Sequence, residues 1–172
     1  PRGQSSKFLH EFALNPGSSF EGSFSFTSNV PVAVTALRGV TNERNGFLVT
    51  TLPVAETGQL PLATDPITFP HFADGGGWTT QVGLINPTDS RIEGTIEFTS
   101  QAGTAVTLTA NGQVNNSFRY NLGPREAFTL KTSGAPTAVT VGSVRVIPLA
   151  SNPAPTGLAI FSLRQTNVLV TE

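Results

Sequence analysis

Ile92-Glu93-Gly94-Thr95-Ile96-Glu97-Phe98-Thr99 is the stretch that decides the fold. Ile92, Gly94, Ile96 and Phe98 alternate with Glu93, Thr95, Glu97 and Thr99. Successive side chains of an extended chain point to opposite sides, so this pattern is a strand with one apolar and one polar face. A helix would need apolar residues three and four apart. The alternation recurs on both sides of this stretch. Val82, Leu84 and Asn86 alternate with Gln81, Gly83 and Ile85; Val106 and Leu108 with Thr107 and Thr109; Phe118, Tyr120 and Leu122 with Arg119 and Asn121. Ala127 to Lys131, Phe20 to Phe26 and Phe8 to Phe12 follow the same rule. No segment sustains a helical period, so the chain reads as all-β and antiparallel.

Turn residues separate these strands. Asn15-Pro16-Gly17, Asn86-Pro87-Thr88-Asp89, Leu122-Gly123-Pro124 and Ser133-Gly134 break the pattern. Asn45-Gly46 and Asn111-Gly112 predict tight hairpins, because Asn and Gly accept positive φ. Val32 to Leu37 and Thr156 to Leu163 are more continuously apolar, which fits either central strands packed on both faces or strands facing another subunit. Residues 69–172 hold about eight strands, the size and rhythm of an immunoglobulin-like β-sandwich without its Cys–Trp–Cys signature. Residues 1–52 hold about four more strands by the same alternation. Residues 53–68, with Pro53, Pro61 and Pro66, read as a linker or edge segment. The expected architecture is one complete immunoglobulin-like sandwich and one partial one.

The partial unit follows from an internal repeat. Residues 22–51, GSFSFTSNVPVAVTALRGVTNERNGFLVTT, match residues 142–172, GSVRVIPLASNPAPTGLAIFSLRQTNVLVTE. Gly22-Ser23 aligns with Gly142-Ser143, Ala33-Val34 with Ala159-Ile160, Leu37-Arg38 with Leu163-Arg164, and Leu48-Val49-Thr50 with Leu169-Val170-Thr171. Pro1-Arg2 and Phe8-Leu9 sit where Pro124-Arg125 and Phe128 to Leu130 sit in the later copy. Residues 1–52 are therefore the closing half of a unit whose complete form is residues 69–172. A half unit cannot bury its own apolar face.

Composition narrows the function classes. Charged residues make up 12% of the 172, about half the usual share, and the net charge is −1. Nucleic acid and anionic membranes call for a basic face that this composition does not supply. No apolar run approaches the roughly 20 residues of a membrane-spanning helix, so no membrane insertion is expected. There is no Cys and no Met, which removes thiolate chemistry and suggests a processed or partial product. Sparse charge, abundant Ser and Thr, 17 Gly and 13 Pro point to an extracellular or cell-surface β-protein.

Few residues offer chemistry. Asp74-Gly75-Gly76-Gly77-Trp78 is the most unusual stretch. It reads either as a sharp corner anchored by the only Trp or as a binding loop, with Trp78 and Tyr120 as sugar-stacking platforms. His10 and His71 are the only imidazoles, and no Gly-x-Ser-x-Gly elbow accompanies them. Glu93 and Glu97 share a strand face but stand about 13 Å apart, too far for a glycosidase pair. The expectation is no enzyme, no cofactor and no metal. Asn115-Asn116-Ser117 fits the N-glycosylation pattern at Asn115.

Phe69 to Gln81, containing the Asp-Gly-Gly-Gly-Trp motif, with Leu84-Ile85-Asn86-Pro87-Thr88 and Gly157 to Arg164, resembles a β-sandwich repeat of about 100 residues found in large secreted bacterial proteins. Val30 to Gly39 and Thr41 to Arg44 resemble the closing half of that repeat. The resemblance implies a surface-exposed tandem-repeat context and supplies no catalytic residues. Together with the half unit, it leads to a structural function: a subunit of an extracellular fibre, built head to tail from identical subunits by strand complementation. Pro53 to Phe69 or Asn167 to Glu172 would be the exchanged segment. The alternative is a repeat module of a large secreted adhesin, with carbohydrate binding as a further option.

Overall fold

The computed structural model describes residues 3–12, 22–54 and 64–172. Strands β1 (Ala36–Thr41) and β2 (Phe47–Leu52) form a separate two-stranded antiparallel sheet. The remaining strands are β3 (Ile67–Asp74), β4 (Trp78–Ile85), β5 (Ile92–Ser100), β6 (Leu108–Ala110), β7 (Gln113–Asn115), β8 (Ser117–Leu122), β9 (Ala127–Lys131), β10 (Thr140–Pro148), β11 (Thr156–Gln165) and β12 (Val168–Thr171). Eight of them make two four-stranded sheets, ordered β3-β10-β5-β8 and β12-β11-β4-β9. The short β6–β7 hairpin is a separate two-stranded sheet, joined to the end of β9 by the Ala110–Thr132 bridge.

The alternation in the sequence becomes the core. Ile92, Ile96 and Phe98 of β5, Val144 and Val146 of β10, and Phe118 and Leu122 of β8 pack against Val82 and Leu84 of β4 and Leu130 of β9. Phe72, Phe98 and Phe118 stack edge to face, with centroids 5.1 and 5.9 Å apart, the arrangement their ring quadrupoles prefer. The first sheet supplies aromatic bulk and the second aliphatic residues, with Leu108 and Ala110 of β6 completing the cluster.

Buried polar residues tie the sheets together. The Thr80 hydroxyl of β4 donates to the Ala73 carbonyl of β3 and accepts from the Ala73 N–H, both at 2.9 Å. The Thr132 hydroxyl accepts from the Thr80 N–H at 2.9 Å. Asn86, fully buried, donates to the carbonyls of Ser90, Leu122 and Gly123 and accepts from the N–H and hydroxyl of Thr88. One amide thus pins the β4–β5 corner to the β8–β9 corner.

The two-sheet antiparallel sandwich agrees with the reading of the sequence; the strand order refines it. In an immunoglobulin domain the first strand pairs with the second and the seventh with the sixth. Here, counting the eight sandwich strands in order, the first (β3) pairs with the sixth (β10) and the seventh (β11) pairs with the second (β4). The N-terminal region departs further from expectation. Leu9–Glu11 is a 3₁₀ turn rather than part of a strand. Residues 22–35 contain no strand, so residues 1–52 contribute two strands among the described residues, not four. The strand expected to start at Phe20 falls partly outside the described residues, and the Asn15-Pro16-Gly17 turn wholly so.

Asn111-Gly112 forms the tight hairpin expected, with φ of 46° and 76° at the two central residues. Asn45-Gly46 does not. Asn42 donates its N–H to the Gly46 carbonyl at 2.9 Å, so Glu43, Arg44 and Asn45 form a three-residue loop with Asn45 at φ 61°. The Asn42 side chain holds this loop by accepting from the Arg44 and Gly46 N–H groups.

Candidate functional site

The Asp74–Trp78 motif is a structural pin. Gly76 and Gly77, at φ 59° and 86°, are the central residues of a two-residue turn joining β3 to β4. Positive φ at both is the requirement of a type I′ turn. Every backbone donor of the turn is used inside the protein: Gly75 N–H to Trp78 O, Gly76 N–H to Pro136 O, Gly77 N–H to Gly134 O and Trp78 N–H to Gly75 O. The buried Asp74 carboxylate accepts from the Gly134 N–H at 2.7 Å. A Cβ at Gly75 would lie 2.1 Å from the Ala138 carbonyl oxygen, and one at Gly77 would lie 2.1 Å from that of Arg164. The glycines make room for neighbouring backbone, so the binding-loop reading of Gly75, Gly76 and Gly77 gives way to the corner reading.

Tyr120 is also corrected as a glycan contact. It is 2% exposed, in the middle of the core. Its hydroxyl lies over Gly94, where a Cβ would approach it to 2.4 Å, and among the described residues it has no hydrogen-bond partner. Burial pushes the phenol pKa up to about 12. Trp78 is half-buried and outside the core cluster. It lines a shallow groove of about 360 Å³ between Thr50, Thr51 and Pro53 on one side and Leu158 to Phe161 on the other. Asn115 is exposed at the end of β7, its side chain accepting from the Asn116 N–H. His71 is exposed and packs at a tilt against Phe161 with centroids 5.2 Å apart, while Asp74 is engaged with Gly134.

The distinctive surface belongs to the half unit, and the repeat explains it strand by strand. Residues 22–27 align with β10, which in the complete unit lies between β3 and β5. Val144 and Val146 of β10 are 0% exposed, whereas their counterparts Phe24 and Phe26 are 46% and 52% exposed. Residues 30–35 align with the first half of β11, which pairs with β4. Their counterparts to Leu158 and Ile160, Val32 and Val34, are exposed. Phe8 aligns with Phe128 of β9, another strand paired to β4, and is exposed as well. In each case the sequence carries the strand pattern, and the partner strand belongs to an opening half.

Among the described residues, the part of the half unit that forms strands is the part that needs no opening half. β11 and β12 pair with each other in the complete unit, and their counterparts β1 and β2 do the same. The outward face of this hairpin leaves Leu37, Phe47 and Val49 exposed. The Phe47 ring covers Gly39, where a Cβ would meet it at 2.6 Å.

The hairpin docks on the complete unit through its loop. The Glu43 carboxylate accepts from the Leu169 N–H at 2.8 Å and from Arg164 Nη1 at 2.6 Å. Asn42 Nδ2 donates to the Leu169 carbonyl at 2.9 Å, and Arg38 pairs with Glu172. The Leu169 N–H foremost, and then the Arg164 guanidinium, lower the Glu43 pKa to about 2. The sequence concealed this clamp because Asn45-Gly46 suggested a shorter loop, one that would not have placed Glu43 at its tip. The positive φ values of Thr166 and Asn167, 49° and 65°, which make the β11–β12 turn, were equally hidden: a β-branched residue seldom adopts them. No known family, curated protein or solved structure matches the chain.

Proposed function

We propose that this protein is a structural repeat module of an extracellular tandem-repeat β-protein, in which residues 1–52 close a unit whose opening half lies outside residues 1–172. The observation that carries this reading is the contrast between Phe24 and Phe26, half exposed, and Val144 and Val146, fully buried at the aligned positions. At two other described segments the half unit is likewise the more exposed copy: Val32 and Val34 are exposed against the partly buried Leu158 and Ile160, and Phe8 is exposed against the partly buried Phe128. The resemblance to repeats of large secreted bacterial proteins and the sparse charge support the extracellular setting.

Exchange between identical subunits faces a shortage of donors. Each chain carries one opening half, β3 to β8, and its own β9–β12 already occupy it. Two closing halves per chain would compete for one opening half in any homopolymer. Of the expected exchange segments, Ile67–Phe69 lies in β3 and Val168–Thr171 forms β12, each paired within the chain; residues 55–63 lie outside the described residues.

The test is a fusion that restores the missing half. Pro1 aligns with Pro124, so a second copy of residues 67–123 joins directly to Pro1 ahead of the full chain. Hydrogen exchange then reads residues 22–35. Protection rising there to the level of β10 and β11 supports the repeat module. Exchange as fast as in the unfused protein overturns it, as would filaments of the unfused protein in negative-stain images.

A further inference from the structure

We infer that residues 32–37, of which Ala36 and Leu37 open β1, are an acceptor segment for one particular strand, an antiparallel strand of the β4 type, in a single register. The inference rests on the repeat-module reading and goes beyond it by naming the strand and its alignment. In the complete unit, β11 pairs with β12 on one edge and with β4 on the other. In the half unit, β1 pairs with β2 on the edge corresponding to β12. Among the described residues, the edge corresponding to β4 has no partner.

The register follows from the aligned pairs. Leu163 stands opposite Trp78, Ser162 opposite Thr79, Phe161 opposite Thr80, Ile160 opposite Gln81, Ala159 opposite Val82 and Leu158 opposite Gly83. Carried to the half unit, Leu37, Ala36, Thr35, Val34, Ala33 and Val32 receive the counterparts of those six β4 residues in the same order. The chemistry of the partner is constrained at the end of the ladder. Val32 takes the Leu158 position and is smaller, and a Cβ at Gly83 would already make only ordinary contact, 3.5 Å from the Leu158 Cγ, so the residue opposite Val32 is not restricted to glycine by size. Gly157, opposite Leu84, is replaced by Pro31. Proline has no N–H to give a ladder and is tolerated at the first residue of a strand. The ladder therefore begins at Val32 and lacks the counterparts of the Gly157–Leu84 and Thr156–Ile85 pairs, two fewer at that end than in the complete unit.

This edge differs from a general sticky strand. An unprotected edge accepts many partners and registers. Here the half unit also presents Phe24 and Phe26, on the segment aligned with β10, for the counterparts of β3 and β5. A partner that brings the counterparts of β3, β4 and β5 together satisfies both segments at once, and only one register of the β4 counterpart is compatible with both.

The chain has no cysteine, so engineered pairs report register without background. In the fusion of residues 67–123 to Pro1, Val34→Cys is combined with Cys at position 79, 81 or 83 of the fused copy, and oxidation is quantified by mass spectrometry. Ile160→Cys with Gln81→Cys in the complete unit is the positive control. Directly opposed residues in an antiparallel pair bring Cα atoms to about 4.5–5.5 Å, within disulfide reach, whereas two residues further along the diagonal exceeds about 7 Å. The expected result is cross-linking at 81 comparable to the control and at least ~10-fold above 79 and 83. Equal cross-linking at the three positions, dominance of 79 or 83, or none at all overturns the inference. Hydrogen exchange on the cysteine-free fusion separates the two failures. Protection of residues 22–35 with the wrong cross-link refutes the register alone, and no protection refutes the repeat-module reading with it. Protection that begins at Val32 is the second expected result.

Discussion

Gly77→Ala is the sharpest test of the view that the Asp74–Trp78 motif is a pin rather than a ligand loop, and Gly112→Ala is its internal control. Both glycines have positive φ, 86° and 76°. Placing alanine in that region costs about 1–2 kcal/mol for backbone strain alone. At Gly112 nothing lies within 4 Å of an added Cβ, so strain is the whole cost. At Gly77 the Cβ would lie 2.1 Å from the Arg164 carbonyl oxygen, and that backbone is held by a hydrogen bond from the Arg164 N–H to Gly77 itself. Relieving the overlap means moving β11 against β4, an overpacking cost of about 1–3 kcal/mol more. Gly77→Ala should therefore cost roughly 2–5 kcal/mol in total. For a chain of this length the Tm shifts are roughly 5 °C for Gly112→Ala and 10 °C for Gly77→Ala. Urea denaturation followed by circular dichroism, with Trp78 fluorescence in parallel, measures both. Equal losses for the two variants, or a Gly77→Ala loss below about 1 kcal/mol, would refute the pin, because a loop kept for ligand contact sacrifices little stability when altered.

Three further outcomes are expected. Glu43 has a folded pKa of about 2 against an ordinary 4.5; a depressed carboxylate stabilises above its unfolded pKa, so hairpin docking weakens as pH falls from about 4.5 towards 2. NMR of the Leu169 amide should follow that loss, and Glu43→Gln should remove its pH dependence. Tyr120→Phe should leave urea stability unchanged or raise it by up to about 1–2 kcal/mol, since the buried hydroxyl lacks a partner; a loss above 1 kcal/mol would mean that the hydroxyl is bonded. As the only tyrosine, with its pKa raised, it should ionise in the folded protein only near pH 12, and stability should fall as pH rises past the unfolded value of 10, where only the unfolded phenol ionises. Asn86→Ala strips the donor from three carbonyls and should cost roughly 2–4 kcal/mol by the same denaturation assay.

The alternation in the sequence located the sandwich well because β4, β5, β8 and β10 each bury one face. Ile92, Ile96, Phe98, Phe118, Leu122, Val82 and Leu84 were legible as core for that reason, and all are buried. The same alternation misled at Phe24 and Phe26. A period-two pattern records what a segment is suited to, while a strand exists only where another backbone answers its hydrogen bonds. The candidate contacts were misjudged for a related reason. Tyr120 alternates with Arg119 and Asn121, which placed it on a face without saying whether that face was covered. Three glycines announced an unusual backbone, but the acceptors on Pro136 and Gly134 come from a distant part of the chain.

The sequence by itself determined the all-β class, the core positions and the out-of-phase repeat, because side-chain periodicity and self-similarity are properties of the chain read in one dimension. Tertiary structure alone decided the rest. It set the strand order, in which β3 and β11 cross to the sheets opposite their immunoglobulin places. It decided between the corner and the binding-loop readings of the glycine motif in favour of the corner. It also divided the half unit into a hairpin that pairs with itself and segments that pair with nothing among the described residues. Each of these depends on which backbones meet in space, and that is settled by contacts between residues remote in sequence.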